Sequence, residues 1–159
     1  MPFTIRRANA GDQRAIQALV RSSNINPIGI HWQRFLIAED AGPEGRRILG
    51  IGQVKVHGDG SRELASIATV RDRQGEGIAT ALIESLLAAE ARTSSGPLYL
   101  TCRSQMEPFY QRFGFRRVET PAGLPAYFRR LMRLAKVFWA IGSLLGRGEG
   151  GLIMVRRGA

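Results

Sequence analysis

A chain of 159 residues, 44% of them hydrophobic, has enough apolar surface for one sizeable core, so a single domain over residues 1–159 is expected. One cysteine, Cys102, excludes an intrachain disulfide, and neither His31 nor His57 stands with it at metal-ligand spacing, so metal-free chemistry in a reducing, cytoplasmic compartment is expected. Lysine plus arginine is 23 against 13 acidic residues, a net +10 that attracts phosphates, nucleic acids or anionic lipid, while MPFTIRRANAGD has no apolar run behind Arg6 and Arg7 and reads as neither signal peptide nor membrane span.

In chain order, FTIRRA reads as a short strand. A helix follows, with Asn9 as N-cap, Asp12 in its first turn, and Ala15, Ile16, Leu19 and Val20 on one face. SSNINPIGIHWQRF is rich in turn residues and reads as a loop with one helical turn. FLIAED and RILGIGQVKVHG look like paired strands around a Gly-Pro turn, with a slip in apolar parity near Gly50 to Gly52 that suggests a bulge. HGDGS is a turn, ELASIATV a strand, and GIATALIESLLAAEA an amphipathic helix ended by Ser95, Gly96 and Pro97. Then come the strand LYLTCRS, a short helix around EPFYQRFG, the strand FRRVE, a basic amphipathic helix from about Ala126 to Leu145, and a last strand LIMVRR.

The stretch from Val70 to Thr80, VRDRQGEGIAT, carries a strand through a glycine turn directly into a helix. The first N–H groups of a helix have no internal partner, and the macrodipole adds roughly half a positive charge there, so the place suits an anion such as a pyrophosphate. Gly75 and Gly77 let the backbone approach without a Cβ in the way, Ile78, Ala79 and Thr80 offer N–H groups, and Arg71 and Arg73 add charge nearby. No Lys-Ser or Lys-Thr pair follows a glycine, which excludes a Walker loop. Thr80 stands where the dinucleotide fingerprint needs its third glycine. An isolated pair of glycines would more simply make a tight turn, and the context reverses that preference.

With Gln74, Gly77 and Ala79 the stretch resembles the acetyl-CoA loop of the GNAT superfamily, in which Gln or Arg is followed by two residues, Gly, one residue, and Gly or Ala. PFYQRFGF supplies a second landmark of that family in Tyr110, Gly114 and Phe115, a tyrosine on a short helix before a Gly-Phe pair. The strand order also matches from Phe3 to Val118, about three quarters of the chain.

The resemblance implies an α/β (α+β) fold: a mixed, mostly antiparallel sheet of six to seven strands with helices on both faces. To it would be added an extra C-terminal amphipathic helix, a basic helical insertion at 119–150 before the last strand. It implies acetyl-CoA as cosubstrate and an N-acetyltransferase reaction with a small-molecule or peptide amine as acceptor. The backbone of Ile67, Ala68 and Thr69 would pair with the pantetheine arm. The amides of Gly75, Glu76, Gly77, Ile78, Ala79 and Thr80, preceded by Gln74, would hold the pyrophosphate, and an N–H near Ile67 or Ala68 would polarise the thioester carbonyl. By position Tyr110 resembles the family's acid, which protonates the departing thiolate. Glu63, eleven residues before Gln74, resembles the glutamate base of the histone acetyltransferase branch; in many relatives water does that work, and a solvated glutamate paired with Arg62 is the plainer reading.

Two departures from the family pattern stand out. Glu76 puts a carboxylate inside the phosphate loop, acceptable only if its side chain points to solvent while its N–H faces the phosphate, with Arg71 and Arg73 at hand to compensate, and Arg103 occupies a position where the family often has asparagine. Cys102 alternates with Leu98 and Leu100 and reads as structural; His31 and His57 receive no role.

From Pro125 onward seven basic residues face Glu149 alone, so the tail holds +6 of the net +10. Its helix has three readings: a cover over the sheet or acceptor cleft, which is the default, a homodimer surface, or a helix lying on anionic membrane with Trp139 at the interface. The uncharged run from Val137 to Gly146 is too short to span a bilayer. Two rivals to the enzyme are a basic binding module, for which no nucleic-acid fingerprint is present, and a regulator that binds acyl-CoA without catalysis.

Overall fold

The computed structural model describes residues 3–42, 45–144 and 151–158. In chain order the elements are β1 (Thr4–Arg7), α1 (Gln13–Ser22), β2 (Phe35–Gly42), β3 (Gly45–Val56), β4 (Arg62–Thr69), α2 (Ile78–Thr93), β5 (Leu98–Arg103), α3 (Glu107–Gln111), β6 (Arg116–Arg117), α4 (Ala126–Leu144) and β7 (Gly151–Arg156). The strands form a seven-stranded sheet in the order β1-β2-β3-β4-β5-β7-β6. The β4–β5 pair is parallel, while β1–β2, β2–β3, β5–β7 and β6–β7 are antiparallel, so the sheet is mixed and mostly antiparallel as expected. The basic helix is there as α4, but β7 follows it: the last described element is a strand, and no additional helix ends the chain among the described residues. Residues 145–150 and Pro43 of the Gly-Pro turn lie outside the described residues, as do the side chains of α4 beyond Ala135, Trp139 among them.

The chain divides into two compact units. The first comprises residues 1–55 and 64–94. Asn9 starts its first helical segment by a capping box: the Asn9 side chain accepts from the Gly11 N–H at 2.9 Å and Asp12 accepts from the Asn9 N–H at 2.7 Å, which satisfies orphan donors ahead of α1. The turn is 3-10 over Ala10–Asp12, and α1 proper begins at Gln13. Ile16 and Val20 are buried with Phe35, Ile37, Ile51 and Ala68, and Leu19 packs at their edge. Ala15, expected on that face, is exposed instead, because the stripe is centred on Ile16 and Val20. The opposite face of the same strands buries Ala38 and Leu49 against Ile78 and Leu82 of α2, so helices cover both faces of this part of the sheet.

One bulge allows this two-sided packing. Ala38 pairs with Gly50 and Glu39 with Ile48, which leaves Leu49 as the extra residue and turns it toward α2. Gly50 and Gly52 have a separate task. A Cβ on Gly50 would stand 2.7 Å from Ile78 Cγ2 and 3.1 Å from the Ala68 carbonyl oxygen, and one on Gly52 would stand 2.7 Å from Ile67 Cδ1, so the missing side chains let α2 and β4 approach β3 closely.

The second unit comprises residues 56–63 and 95–159. Its core joins Tyr99, Leu124, Phe128 and Ile153, with Val118, Leu131, Met132 and Val155 packed around them. Phe128 is the buried side of α4, whereas Arg129, Arg130 and Arg133 are exposed. α3 ends in a tight turn: the Phe115 N–H reaches back to the Tyr110 carbonyl, Gly114 takes φ +83°, and Phe115 is then driven fully inside.

Candidate active site

In the first unit β4 leads through a glycine turn into α2. Gly77 is the N-cap of α2 in the left-handed region at φ +81°, and no side chain caps the helix, so its first N–H groups receive no side-chain acceptor. Gly75 also has positive φ, +87°, and a Cβ on either glycine would meet nothing within 4 Å. Open space therefore lies over both positions. Gln74 lies within reach of the end of β4, its Nε2 3.5 Å from the Thr69 carbonyl oxygen. Glu76 does not aim its charge at the helix start: its carboxylate accepts from Arg73 Nε at 2.6 Å, and Arg73 Nη1 also binds Asp40 at 3.0 Å. The hydrogen bond to Arg73 holds the Glu76 carboxyl below the usual range. Arg73 thus pairs with two acidic neighbours, Glu76 and Asp40.

β4 is irregular where its backbone would pair with a ligand. Ser66 has φ +57°, a conformation that costs a non-glycine residue roughly 1–3 kcal/mol and is held in place by a hydrogen bond from Gln53 Nε2 to Ser66 Oγ at 2.9 Å. Ile67, Ala68 and Thr69 follow at once. The Thr69 hydroxyl is buried and has no hydrogen-bond partner among the described residues, an unspent polar group at the strand end. An uncapped helix start, two open glycines and an orphaned hydroxyl are together a fit for a phosphorylated cosubstrate that brings its own acceptors. Neither the Ser66 kink nor Gln53 was visible in the sequence, because a serine in a strand pattern gives no sign of left-handed backbone.

The proposed acid and base both lie in the second unit. Glu63 is not the solvated glutamate that a strand start would suggest. It is 6% exposed, Oε2 is 2.9 Å from His57 Nε2, and Oε1 accepts from Thr101 Oγ1 at 3.2 Å. His57, without a role in the sequence reading, is stacked face to face on Tyr127 with centroids 3.5 Å apart and meets Phe128 edge-on at 5.6 Å. The signal that could have found it is the hairpin HGDGSRE: the His57 N–H bonds the Ser61 carbonyl at 2.8 Å, which sets the start of one strand beside the end of the other. Tyr110 packs edge-on to Phe109 at 5.2 Å and Phe115 at 6.3 Å, and burial, with a smaller contribution from Cys102, pushes its phenol up to about 12. Cys102 is half-buried, and burial with Glu107 beside it pushes the thiol up to about 11, away from nucleophilic character.

The model of the Acetyltransferase (GNAT) domain matches residues 31–117, more than half of the chain. The chain belongs to the GNAT acetyltransferase family. Solved structures similar to this GNAT chain include N-acetylglutamate synthase from Neisseria gonorrhoeae, in complex with coenzyme A and N-acetyl-glutamate (TM-score 0.73, 22% identity over 100% of this chain). The chain spans only 36% of the length of that enzyme. A Mycobacterium tuberculosis protein in complex with CoA matches with TM-score 0.70 and 23% identity over 97% of this chain and 98% of its own. The ribosomal-protein-S18-alanine N-acetyltransferase of Escherichia coli matches with TM-score 0.62 and 17% identity over 98% of this chain and 93% of its own. At these identities the likeness is one of fold. No curated protein sequence matches the chain. No helix among the described residues is long and apolar enough to cross a membrane.

Proposed function

We propose that this GNAT chain is an N-acetyltransferase that moves an acetyl group from acetyl-CoA to a primary amine by direct attack. The observation that carries the reading is the start of α2: an uncapped helix N-terminus behind Gly75 and Gly77, open to an anion, in a chain of this family. The amides from Gly75 to Thr80, Glu76 among them through its N–H, would hold the pyrophosphate, with Gln74 bracing the loop. The backbone of Ile67, Ala68 and Thr69 would align the pantetheine arm, and an N–H at Ile67 or Ala68 would donate to the thioester oxygen. Acetyl-CoA supplies the activated acyl group. Glu63, or a water, takes the proton of the attacking ammonium, and Tyr110 gives its phenolic proton to the leaving sulfur. A phenol pushed up to about 12 is fully protonated at neutral pH and has a proton to give. The acceptor is a small-molecule or peptide amine; the relatives named for glutamate and for a ribosomal-protein alanine mark the two kinds to try first.

Calorimetry with acetyl-CoA tests the reading. Wild type is expected to bind in the micromolar range, and Gly77→Asp, which places a carboxylate at the helix start, to lose binding while staying folded. Thiol release is then followed with L-glutamate, an alanine-led peptide and a lysine peptide. Absence of binding to the wild type removes the acyltransferase reading and favours the basic binding module; binding without thiol release favours the non-catalytic regulator.

A further inference from the structure

Glu63, His57 and Tyr127 form a chain of contacts that runs from a buried carboxylate to the first turn of α4. Each link has its own geometry: 2.9 Å from His57 Nε2 to Glu63 Oε2, 3.5 Å between the stacked His57 and Tyr127 rings, and 2.8 Å from the Tyr127 N–H to Asp59 Oδ2. Asp59 lies in the turn that carries His57, and its other oxygen accepts from the Ser61 hydroxyl at 2.6 Å. The turn thus supplies a carboxylate to one of the orphan N–H groups at the start of α4, and α4 returns an aromatic ring to the imidazole. A single phenyl ring would suffice to fill space beside β4. The extra hydrogen bonds are explained if the orientation of His57 matters.

We propose that His57 and Tyr127 are positioning residues for Glu63: the Tyr127 ring clamps the imidazole, and the imidazole N–H, together with the Thr101 hydroxyl, holds the carboxylate in one orientation toward the acceptor amine. The inference rests on the transferase reading above and adds a function for α4. As the base, Glu63 starts as a carboxylate that only accepts hydrogen bonds, so the proposal places the proton of the His57–Glu63 contact on Nε2. A glutamate side chain has three rotatable bonds, and a base free to turn spends most of its time away from the proton it must remove. Two donors on its two oxygens leave it pre-set, and the lone pairs they do not use remain for the amine. The proton taken from the ammonium stays on Glu63 in this scheme, and His57 keeps its own.

Two substitutions separate the clamp from the hydrogen bond. His57→Phe keeps a ring for Tyr127 and loses the donor; His57→Gln loses the ring and keeps an N–H near the place of Nε2. With acetyl-CoA and the best amine of the panel above, His57→Phe is expected to lower kcat roughly 10- to 100-fold with KM for acetyl-CoA within about threefold of wild type, and His57→Gln to recover most of that loss. Thr101→Val, at an exposed position, is expected to lower kcat about three- to tenfold in protein whose urea midpoint shows it folded. Imidazole 15N spectra give a readout without turnover: they are expected to place the proton on Nε2 in the wild type and to change in Glu63→Gln. Full kcat in His57→Phe, equal losses in His57→Phe and His57→Gln, or a neutral ring protonated at Nδ1 alone would each overturn the proposal. Full kcat in Glu63→Gln would overturn it as well while leaving the transferase reading with water as base, whereas a wild type that neither binds acetyl-CoA nor releases thiol removes both.

Discussion

Tyr110 and Cys102 sit a few residues apart in the second unit, and burial raises both, the phenol to about 12 and the thiol to about 11. The consequences differ. As an acid Tyr110 keeps its proton throughout the neutral range, and Tyr110→Phe is expected to lower kcat about 100-fold with little change in KM for acetyl-CoA. Because the proton is lost only near pH 12, the pH–rate profile of the wild type is expected to show no alkaline fall attributable to this phenol between pH 8 and about 10; a fall there that vanishes in Tyr110→Phe would count against its role. For Cys102 the same physics predicts inertness. At pH 8 the thiolate is a small fraction, and iodoacetamide is expected to modify native Cys102 at least about tenfold more slowly than the unfolded chain, read by mass spectrometry. Tyr110 was legible in the sequence because the pattern before Gly114 and Phe115 marks it. The partners of Glu63 were not, because His57 and Thr101 reach it only through the hairpin and through β5.

Elements depend on contacts that single residues admit or forbid. α2 sits close to β3 because Gly50 and Gly52 lack side chains, so Gly50→Ala must displace Ile78 or the Ala68 backbone and is expected to cost roughly 1–3 kcal/mol, measured by urea unfolding. A neutral result would mean that α2 stands further off than the structure has it. The start of α4 depends on a charge. Hydrogen bonds from the Ser61 hydroxyl, and then from the Tyr127 and Ser61 amides, lower Asp59 to about 2. A carboxyl lowered on folding contributes stability above its unfolded value, here 3.8, and loses that contribution as the pH falls toward 2. Asp59→Ala is therefore expected to unfold at lower urea than wild type at pH 6, with the difference closing between about pH 4 and pH 2. These elements were readable in outline from periodicity, and the bulge was expected within a residue or two of its place. What periodicity missed was which residue is extra: cross-strand pairing makes it Leu49, with the glycines beside it serving α2 instead.

For the whole molecule, the net charge of +10 and the exposed arginines of α4 make a field that draws polyanions. If acetyl-CoA is the cosubstrate, its association rate is expected to fall several-fold between about 50 and 500 mM salt, with a much smaller change in dissociation, in stopped-flow binding. A salt-independent association rate would assign the charge to some other partner. The sequence by itself determined the order of the strands and helices, the family, the glycine turn before α2 and the place of Tyr110 on a short helix, since each rests on local pattern: alternation, a 3.6-residue period, glycines at fixed offsets. Only the tertiary structure decided that Glu63 is buried rather than solvated, that His57 and Thr101 hold it, that Ser66 kinks β4, and that α4 is tied to the 57–61 turn and is followed by a strand. The physical reason is common to these: hydrogen bonds and ring stacks between residues far apart in the chain leave no periodic trace, and a buried charge is recognised by its partners rather than by its neighbours in sequence.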